Sequence, residues 1–532
     1  MSAPTPDPDR ETTANALRHL GVVALTLAFL VVLTYIVPPF HRFRPWTPGD
    51  AWPLSSLFRP AEELYAFAGV GSSDGEEVTE ADREAVAEEL GAAVAASLSP
   101  EEESAPREDD EALRVDPREY ADLEVSIEDP TGRGMAPFYA QLARTARGQE
   151  GAITRVGHWG DSSIATDLIT HTVRRRLQRR FGDAGHGWLL VARGYLSYRH
   201  RDVEHRASDA WTLREITRNH LVSSGLYGYG GIQYRGRPGA WARFGTAEEG
   251  PVGTQVSRFR VFYQRHRRGG HLHLKVDGGE RRVVETRQEE TEDAVETIEV
   301  PDGAHTLELR FGGHGQPRVY GVVLEREGPG VVYDSLGLVG ARAARLLNYD
   351  AEHIAGQIRM RGTHLVVLGF GGNEADDNIS TERYLPAYRE VIRRMRAGRE
   401  DLGCLVFSPL DQGTRERGRV VTMDTIPTIV EAQREAAFAE GCAFYDTFQA
   451  MGGEGAVRRW LRSRPRLASG DLRHMTPAGY EVVGNLFYKA ILEGFAGYLE
   501  EEGASPASSA SAPSSSSPAS LAEDEGASDP GP

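Results

Sequence analysis

The stretch Arg155–Thr170, RVGHWGDSSIATDLIT, decides how the fold of this chain is interpreted. Apolar residues lead into a Gly-Asp-Ser-Ser turn, and a run that could form a helix follows it. In one interpretation, Ser162 is a nucleophile presented at the end of a strand. In the other, Asp161 or Ser162 only caps a helix that begins at Ile164. Taken alone the stretch favours the cap, so partner residues elsewhere in the chain decide the question.

The net charge of −18 on the 532-residue chain is concentrated in two segments. Residues 74–124 carry a net charge of −15 and residues 500–532 carry −7, so the rest of the chain is close to neutral. We therefore expect no nucleic-acid partner, because such partners require a basic surface. The length predicts several domains rather than one simple core.

Residues 20–38 contain an uncharged apolar run, LGVVALTLAFLVVLTYIV, that is long enough to cross a bilayer. No small-residue cleavage site follows the run, so we expect an uncleaved transmembrane anchor rather than a signal peptide. Arginines flank the run on both sides, so charge alone does not decide its orientation. We expect residues 1–19 to form a cytoplasmic tail, with the large body outside.

Two further segments predict little folded structure. Residues 39–125 are rich in Ala and Glu over most of their length and predict a largely disordered, acidic spacer. Residues 499–532 form a low-complexity tail rich in Ser, Pro and Ala.

Between these segments the sequence pattern changes twice. Short strands of alternating polarity in residues 196–330 predict an inserted all-β sandwich. In residues 126–195 and 331–498, continuous apolar runs such as THLVVLGFG alternate with helical stretches. Such runs are typical of parallel strands covered on both faces, so we predict one α/β domain split by the sandwich.

The chain offers no pattern that predicts a metal site or a cofactor. Its His, Cys, Asp and Glu residues nowhere show metal-ligand spacing. The two cysteines, Cys404 and Cys442, lie in predicted buried strands, where we expect small free thiols rather than a disulfide.

Two downstream motifs supply partners for Ser162. Asn373 follows an apolar strand in a glycine-rich turn, and Asp471 and His474 are spaced three residues apart just before a helix. The carboxyl ends of strands in such a sheet line one crevice, so these side chains would face one site. An Asn amide there can donate to an oxyanion, and an Asp-x-x-His turn lets the carboxylate orient the imidazole.

In this order the motifs resemble those of the GDSL/SGNH hydrolase family. The resemblance implies a flavodoxin-like, three-layer α/β/α fold and ester hydrolysis by Ser162, His474 and Asp471, with no metal or cofactor. It also implies an oxyanion hole formed by Ser162, Gly340 and Asn373. Gly337 is the alternative glycine; we prefer Gly340 because it directly precedes a helix-like run with free N–H groups.

The blocks GDSSIATDLITHTVRRRLQRRFGDAGHGW, SLGLVGA and GGNEA resemble one subgroup more narrowly, the periplasmic peptidoglycan O-acetylesterases. Members of that subgroup carry a carbohydrate-binding jelly roll inserted after the serine block. The resemblance implies an acetylated cell-wall glycan as the substrate. With the anchor, it places the protein on the inner membrane of a bacterial cell envelope, with the catalytic body in the periplasm.

Two other functions fit the same residues. The chain could be an O-acetyltransferase acting on an exported polysaccharide, since similar triads pass the acyl group to a sugar. It could also be a non-catalytic glycan-binding scaffold that uses aromatic residues of the sandwich. The candidates for sugar stacking are Tyr227, Tyr229, Tyr234 and Trp241, although packing is the preferred interpretation for most of them.

Overall fold

The computed structural model describes residues 112–504, except 196–197, 219–221 and 378–379, and three single residues, Leu90, Val94 and Ser97. The predicted tail 1–19, the predicted anchor 20–38 and most of the predicted spacer lie outside the described residues. Residues 505–532 lie outside them as well. In the part of the chain that is described, no helix is both long and apolar enough to span a bilayer.

A five-stranded parallel sheet forms the centre of the α/β domain, in the order β13-β1-β14-β15-β18. Its strands, numbered by their place in the whole chain, are β1 (Ile153–Gly160), β13 (Gly330–Gly337), β14 (Leu365–Gly369), β15 (Gly403–Phe407) and β18 (Ala443–Tyr445). Every residue of β14 is buried, as expected for a strand covered on both faces.

Helices cover both faces of this sheet. The helices are α1 (Ala136–Ala146), α2 (Ser162–Ala165), α3 (Leu168–Phe181), α4 (Ala351–Arg361), α5 (Thr381–Arg396), α6 (Thr425–Ala439), α7 (Thr447–Ala450), α8 (Ala456–Arg462) and α9 (Pro477–Ala504). Alternate residues of β14 point to opposite faces. Leu365 and Val367 join the apolar core with α1, α3 and α9, whereas Val366 and Leu368 join the core with α4, α5 and α6. The predicted α/β fold with a parallel sheet is confirmed.

The inserted module consists of two antiparallel sheets. One has the order β10-β7-β12-β5-β4, with β2 also paired to β12, and the other has the order β3-β6-β11-β8-β9. The strands are β2 (Gly187–Leu189), β3 (Val203–Ala207), β4 (Trp211–Glu215), β5 (Ile232–Gly236), β6 (Trp241–Thr246), β7 (Val256–Arg265), β8 (His271–Val276), β9 (Arg282–Glu285), β10 (Glu292–Gly303), β11 (Thr306–Phe311) and β12 (Arg318–Glu325). Because β2 belongs to a sandwich sheet, the module begins before the predicted boundary at residue 196. A hairpin of β16 (Gly413–Glu416) and β17 (Arg419–Thr422) lies in the α/β domain.

A buried ion network ties the inserted module to the α/β domain. Glu325, at the end of β12, accepts hydrogen bonds from Arg155 of β1 and Arg361 of α4. Arg361 also makes a bidentate pair with Asp334 of β13. These opposite charges hold the pKa of the buried Glu325 well below its usual range, although burial acts against them. Removing one of these side chains would leave an uncompensated buried charge. The network therefore fixes the position of the inserted module on the α/β domain.

The predicted spacer boundary at residue 125 needs correction. Residues 112–125 pack against the core formed with α9, and their partly buried apolar side chains are Leu113, Val115, Leu123 and Val125. Lys489 of α9 also donates to Asp122 at 2.6 Å. The acidic composition obscured these apolar residues, which are too few to predict a core contact by themselves. At the other end, α9 continues to Ala504, past the predicted limit of 498.

The prediction of free cysteines is wrong, because Cys404 and Cys442 form a disulfide. Cys404 lies on β15 and Cys442 directly precedes β18, and these two strands are neighbours in the sheet. Their Cα atoms are 4.8 Å apart although the residues are separated by 38 positions in the chain. Strand order, which is not visible in the sequence, brings them together.

Removing this disulfide is expected to destabilise the protein. A cross-link that closes a loop of this length lowers the entropy of the unfolded chain, which contributes about 4 kcal/mol to the free energy of unfolding. Denaturant unfolding should therefore show a lower midpoint for the double variant Cys404→Ser/Cys442→Ser. Reductant should lower the midpoint of the unaltered protein and leave the variant unchanged. An unaltered protein that is insensitive to reductant would contradict the prediction.

Candidate active site

Ser162 stands at the sharp turn between β1 and α2. Asp161 caps the helix, and its carboxylate accepts hydrogen bonds from the Ser163 N–H at 2.9 Å and from the Ser163 hydroxyl at 2.8 Å. A Cβ atom on Gly160 would lie 2.4 Å from Ile164 and 2.6 Å from the carbonyl oxygen of Gly369, so the turn requires glycine. Asp161 thus supplies the cap, and the Ser162 hydroxyl is left for other contacts.

The hydroxyl of Ser162 begins a chain of hydrogen bonds that ends at Asp471. Ser162 Oγ lies 2.9 Å from His474 Nε2, and His474 Nδ1 lies 2.7 Å from Asp471 Oδ2. The other carboxylate oxygen of Asp471 accepts the backbone N–H groups of Arg473 and His474, each at 3.0 Å. Leu472, which follows Asp471, has a φ of 63°, and this backbone conformation closes the tight turn. The structure therefore brings together three residues that are far apart in the chain.

Asp471 and His474 each favour the charged form of the other. The hydrogen bond and charge of Asp471 raise the pKa of His474, although partial burial acts in the opposite direction. Burial also acts to raise the pKa of Asp471, but the hydrogen bonds from His474 and from the backbone lower it to about 2. Asp471 is therefore ionised at neutral pH and stabilises a protonated imidazole. The His474 side chain is 45% exposed, so water reaches it.

A cleft of about 190 Å³ opens at the carboxyl ends of β1, β14 and β15. Its lining residues are Asp161, Ser162, Ser163, Gly369, Phe370, Gly372, Asn373, Asp376, Phe407, Ser408, Pro409, Leu410, Gln412, Arg473 and His474. This is the edge at which a parallel sheet collects its ligand-binding loops. Ser162, Asn373 and His474 therefore face one space, as the sequence predicts.

The loop after β14 is tied to the loop after β13. The side-chain amide of Asn373 donates to the carbonyl oxygen of Ala341 at 2.9 Å, and Glu374 accepts the N–H of Ala343 at 2.8 Å. The pKa of Glu374 is raised to about 7, mainly by burial and to a smaller extent by the nearby charge of Asp161. A primary amide has two N–H donors, so Asn373 keeps one beyond the bond to Ala341.

The two candidate glycines of the oxyanion hole do not line the cleft. Gly340 lies in an exposed turn with a φ of +73°, and no atom would lie within 4 Å of a Cβ there. Gly337 packs closely on α2, since a Cβ on it would lie 2.2 Å from the backbone nitrogen of Ala165. The assignment of Gly340 stays a prediction from the sequence.

A polar cluster at the edge of the cleft was not predicted from the sequence. Arg473 donates to Gln412 at 3.0 Å and to Asp376 at 2.7 Å, and all three side chains line the cleft. Arg473 could have been found, because it stands inside the Asp-x-x-His motif. Gln412 and Asp376 come from other loops and have no such signal. Together they provide charged and polar groups beside the Ser162 hydroxyl.

The aromatic residues proposed for sugar stacking in the inserted module are mostly buried. Tyr227, Tyr229 and Tyr234 are each 0% exposed, so packing is confirmed for them. Tyr229 contacts Trp159 of β1, with ring centroids 4.7 Å apart, and thus joins the module to the α/β domain. Trp241 is half-buried beneath the guanidinium of Arg243. These three tyrosines offer no platform for a glycan.

One known protein family matches part of this chain. Residues 300–482 match the model of the GDSL-like Lipase/Acylhydrolase family. Over this range the chain is similar to the GDSL-like acylhydrolases. The matched range includes Asn373, Asp471 and His474, whereas Ser162 precedes it. The recognition made from the motifs is confirmed, and so is the enzyme class, a carboxylic ester hydrolase. No curated protein sequence matches this chain.

A solved structure resembles this chain in fold, and two others match it more weakly. A peptidoglycan O-acetylesterase matches 69% of this chain and 98% of its own, with 21% identity and a TM-score of 0.58. A carbohydrate esterase family 2 enzyme with a carbohydrate-binding domain, from Corynascus thermopiles (Myceliophthora fergusii), matches 53% of this chain and 99% of its own. Its identity is 12% and its TM-score is 0.25, too low to carry an argument. A family two carbohydrate esterase from Cellvibrio japonicus, with a TM-score of 0.18 and 11% identity, covers 45% of this chain and 85% of its own.

Proposed function

We propose that this GDSL-like hydrolase is a serine acetylesterase that removes O-acetyl groups from a cell-wall glycan. The observation that carries the proposal is the hydrogen-bonded chain Ser162–His474–Asp471 at the edge of a small cleft. A hydroxyl within reach of an imidazole that a carboxylate orients is the arrangement needed for acyl transfer to serine.

In the first step, Ser162 Oγ attacks the ester carbonyl carbon while His474 Nε2 takes the hydroxyl proton. Asp471 keeps the proton on Nδ1 and stabilises the imidazolium that forms. The negative charge on the carbonyl oxygen is met by the Ser162 N–H and by the second amide N–H of Asn373, whereas the predicted donor Gly340 does not line the cleft.

In the following steps, His474 gives its proton to the leaving sugar hydroxyl, and the acyl group remains on Ser162. A water molecule then loses a proton to His474 and attacks the acyl carbon. The bond from that carbon to Ser162 Oγ breaks, His474 returns the proton to Oγ, and the acid is released. The partial exposure of His474 favours water over a bulky acceptor, so hydrolysis is preferred to acetyl transfer.

The size of the cleft supports a short acyl group. Its volume of about 190 Å³ is below the roughly 300–1,000 Å³ of pockets that enclose larger ligands. An acetyl group fits beside Ser162, whereas a long lipid chain would extend into solvent. The polar cluster of Arg473, Gln412 and Asp376 offers hydrogen bonds to sugar hydroxyls at the same edge.

The test is acetate release by the purified full-length protein from O-acetylated peptidoglycan and from acetylated xylan. We expect free acetate from peptidoglycan and a slower release from xylan. Mass spectrometry of an added glycan acceptor distinguishes hydrolysis from transfer. If p-nitrophenyl acetate is hydrolysed but neither glycan loses acetate, the esterase stands and the glycan substrate is rejected.

We also propose that residues 20–38 anchor the protein in the inner membrane and that the catalytic body lies in the periplasm. The apolar run supports the anchor. The disulfide between Cys404 and Cys442 supports an oxidising compartment, because structural disulfides are rare in the cytosol. Recovery of the intact protein in the soluble fraction after membrane fractionation would overturn the anchor.

A further inference from the structure

Three potential metal ligands meet at one edge of the inserted module. His271 lies on β8, Glu285 lies on the neighbouring strand β9, and His314 lies in the turn that follows β11. One donor atom from each residue lies within 4.8 Å of the donor atoms of the other two. His271 and Glu285 are direct cross-strand partners, and His271 Nε2 lies 2.7 Å from Glu285 Oε2.

The backbone holds His314 against strand β8. The N–H of Gly312 donates to the carbonyl oxygen of His271 at 2.8 Å. A Cβ on Gly270 would lie 2.1 Å from the carbonyl oxygen of His314, and one on Gly315 would lie equally close to that of Gly269. The turn can approach the strand only because these positions are glycine. The two imidazole rings consequently meet edge to face, with centroids 4.2 Å apart.

The carboxylate is also oriented before any ion arrives. Glu285 Oε1 accepts the backbone N–H of Arg287 at 2.8 Å, which leaves Oε2 on the side of His271. Such outer hydrogen bonds fix the direction of a metal ligand. The side chains of His271 and Glu285 are 35% and 52% exposed, so an ion can enter from solvent and keep a water ligand.

We propose that His271, Glu285 and His314 bind a divalent transition-metal ion, with Zn²⁺ as the ion of best fit. Two imidazoles and one carboxylate plus water complete a tetrahedral zinc site. Ligand atoms on one zinc ion lie about 3.4 Å apart, given bonds of about 2.0–2.2 Å. The donor atoms of His271 and Glu285 are now 2.7 Å apart and all three lie within 4.8 Å of one another, so rotations of the side chains would have to bring them to this spacing. Ca²⁺ and Mg²⁺ prefer oxygen ligands and fit poorly.

The site would stabilise the edge of the inserted module. It links β8, the terminal strand β9 and the turn after β11, which are also joined by backbone hydrogen bonds at this edge of the sheet. None of its ligands lines the cleft beside Ser162, so the metal would have no part in ester hydrolysis. The sequence did not reveal the site because His271 and Glu285 are 14 residues apart and His314 lies beyond two further strands, β10 and β11.

The test is calorimetric titration of the untagged, full-length protein with Zn²⁺, and with Ca²⁺ and Mg²⁺ as controls. We expect one zinc ion per chain, a higher melting temperature with zinc, and no binding of the other two ions. His314→Ala and Glu285→Gln each remove a ligand and should weaken binding by more than the about 10–100-fold typical of losing an outer partner.

The matched control is His305→Ala. His305 lies in the same module and also pairs with a carboxylate, Asp277, at 2.6 Å, but among the described residues this pair belongs to no three-ligand cluster. This variant should bind zinc as the unaltered protein does. Absence of zinc binding, or equal weakening by His305→Ala and His314→Ala, would overturn the site. Hydrolysis of p-nitrophenyl acetate serves as the check that each variant is folded. Because none of the ligands lines the cleft beside Ser162, each variant should keep this activity whether or not it binds zinc.

Discussion

Ser162→Ala is expected to lower kcat for ester hydrolysis by on the order of 10⁶-fold, the effect of removing the nucleophile of a serine triad. The residue is the one hydroxyl within hydrogen-bond distance of His474 Nε2 among the described residues. Without it no acyl-enzyme forms, and only the weak effect of binding and oxyanion donors remains. The measurement is steady-state hydrolysis of p-nitrophenyl acetate by the purified full-length protein.

The neighbouring serine provides the matched control for this variant. Ser163 also lines the cleft, but its hydroxyl donates to Asp161 and not to His474. Ser163→Ala removes one hydrogen bond of the helix cap and should change kcat within about tenfold. A fluorophosphonate probe should label the unaltered protein and Ser163→Ala, and leave Ser162→Ala unlabelled. Full activity of Ser162→Ala would contradict the whole proposed mechanism.

Asp471→Asn is expected to lower kcat by about 10⁴-fold, as the same change does in other serine triads. An asparagine can hold His474 in place, but its amide favours the wrong tautomer and carries no charge to stabilise the imidazolium. The present geometry depends on the ionised carboxylate, since Asp471 accepts both the ring N–H and two backbone N–H groups.

The same variant should also change the pH profile. The hydrogen bond that His474 donates to Asp471 raises the pKa of His474 above its ordinary value of 6.5. His474 must be neutral to accept the serine proton, so kcat/KM of the unaltered enzyme falls as the pH drops through this raised pKa. Asp471→Asn removes the cause, so the acid limb should move to lower pH.

A carboxylate of the same cleft serves as the control for this pH shift. Asp376 pairs with Arg473 rather than with the imidazole. With p-nitrophenyl acetate, which has no sugar hydroxyls, Asp376→Asn should leave the acid limb nearly in place and keep most of the activity. If both variants move the limb equally, the pKa of His474 is set by the general charge of the cleft, and the role assigned to Asp471 is wrong.

Patterns among residues that are neighbours in the sequence predicted several features of the fold and of the site. The apolar run THLVVLGFG predicted a buried parallel strand, and β14 lies there with every residue buried. The motifs around Ser162, Asn373 and His474 predicted one site because strand ends of a parallel sheet meet at one edge. The N-cap and nucleophile interpretations of the opening stretch turned out to concern different residues, Asp161 and Ser162.

What the sequence did not reveal are contacts between distant residues with no local pattern. Cys404 and Cys442 looked like free thiols, because only the order of strands makes β15 and β18 neighbours. The acidic composition before residue 125 suggested a disordered spacer, whereas a few apolar side chains there pack on the core.

The sequence by itself therefore determined the α/β class, the inserted all-β module and the residues of the candidate triad, because periodicity and short motifs are local properties. The tertiary structure alone decided the disulfide, the placement of Gly340 away from the cleft lining and the cluster at His271. Those features depend on strand order and on glycine positions where two backbones approach closely. Both are properties of how the chain packs on itself in three dimensions.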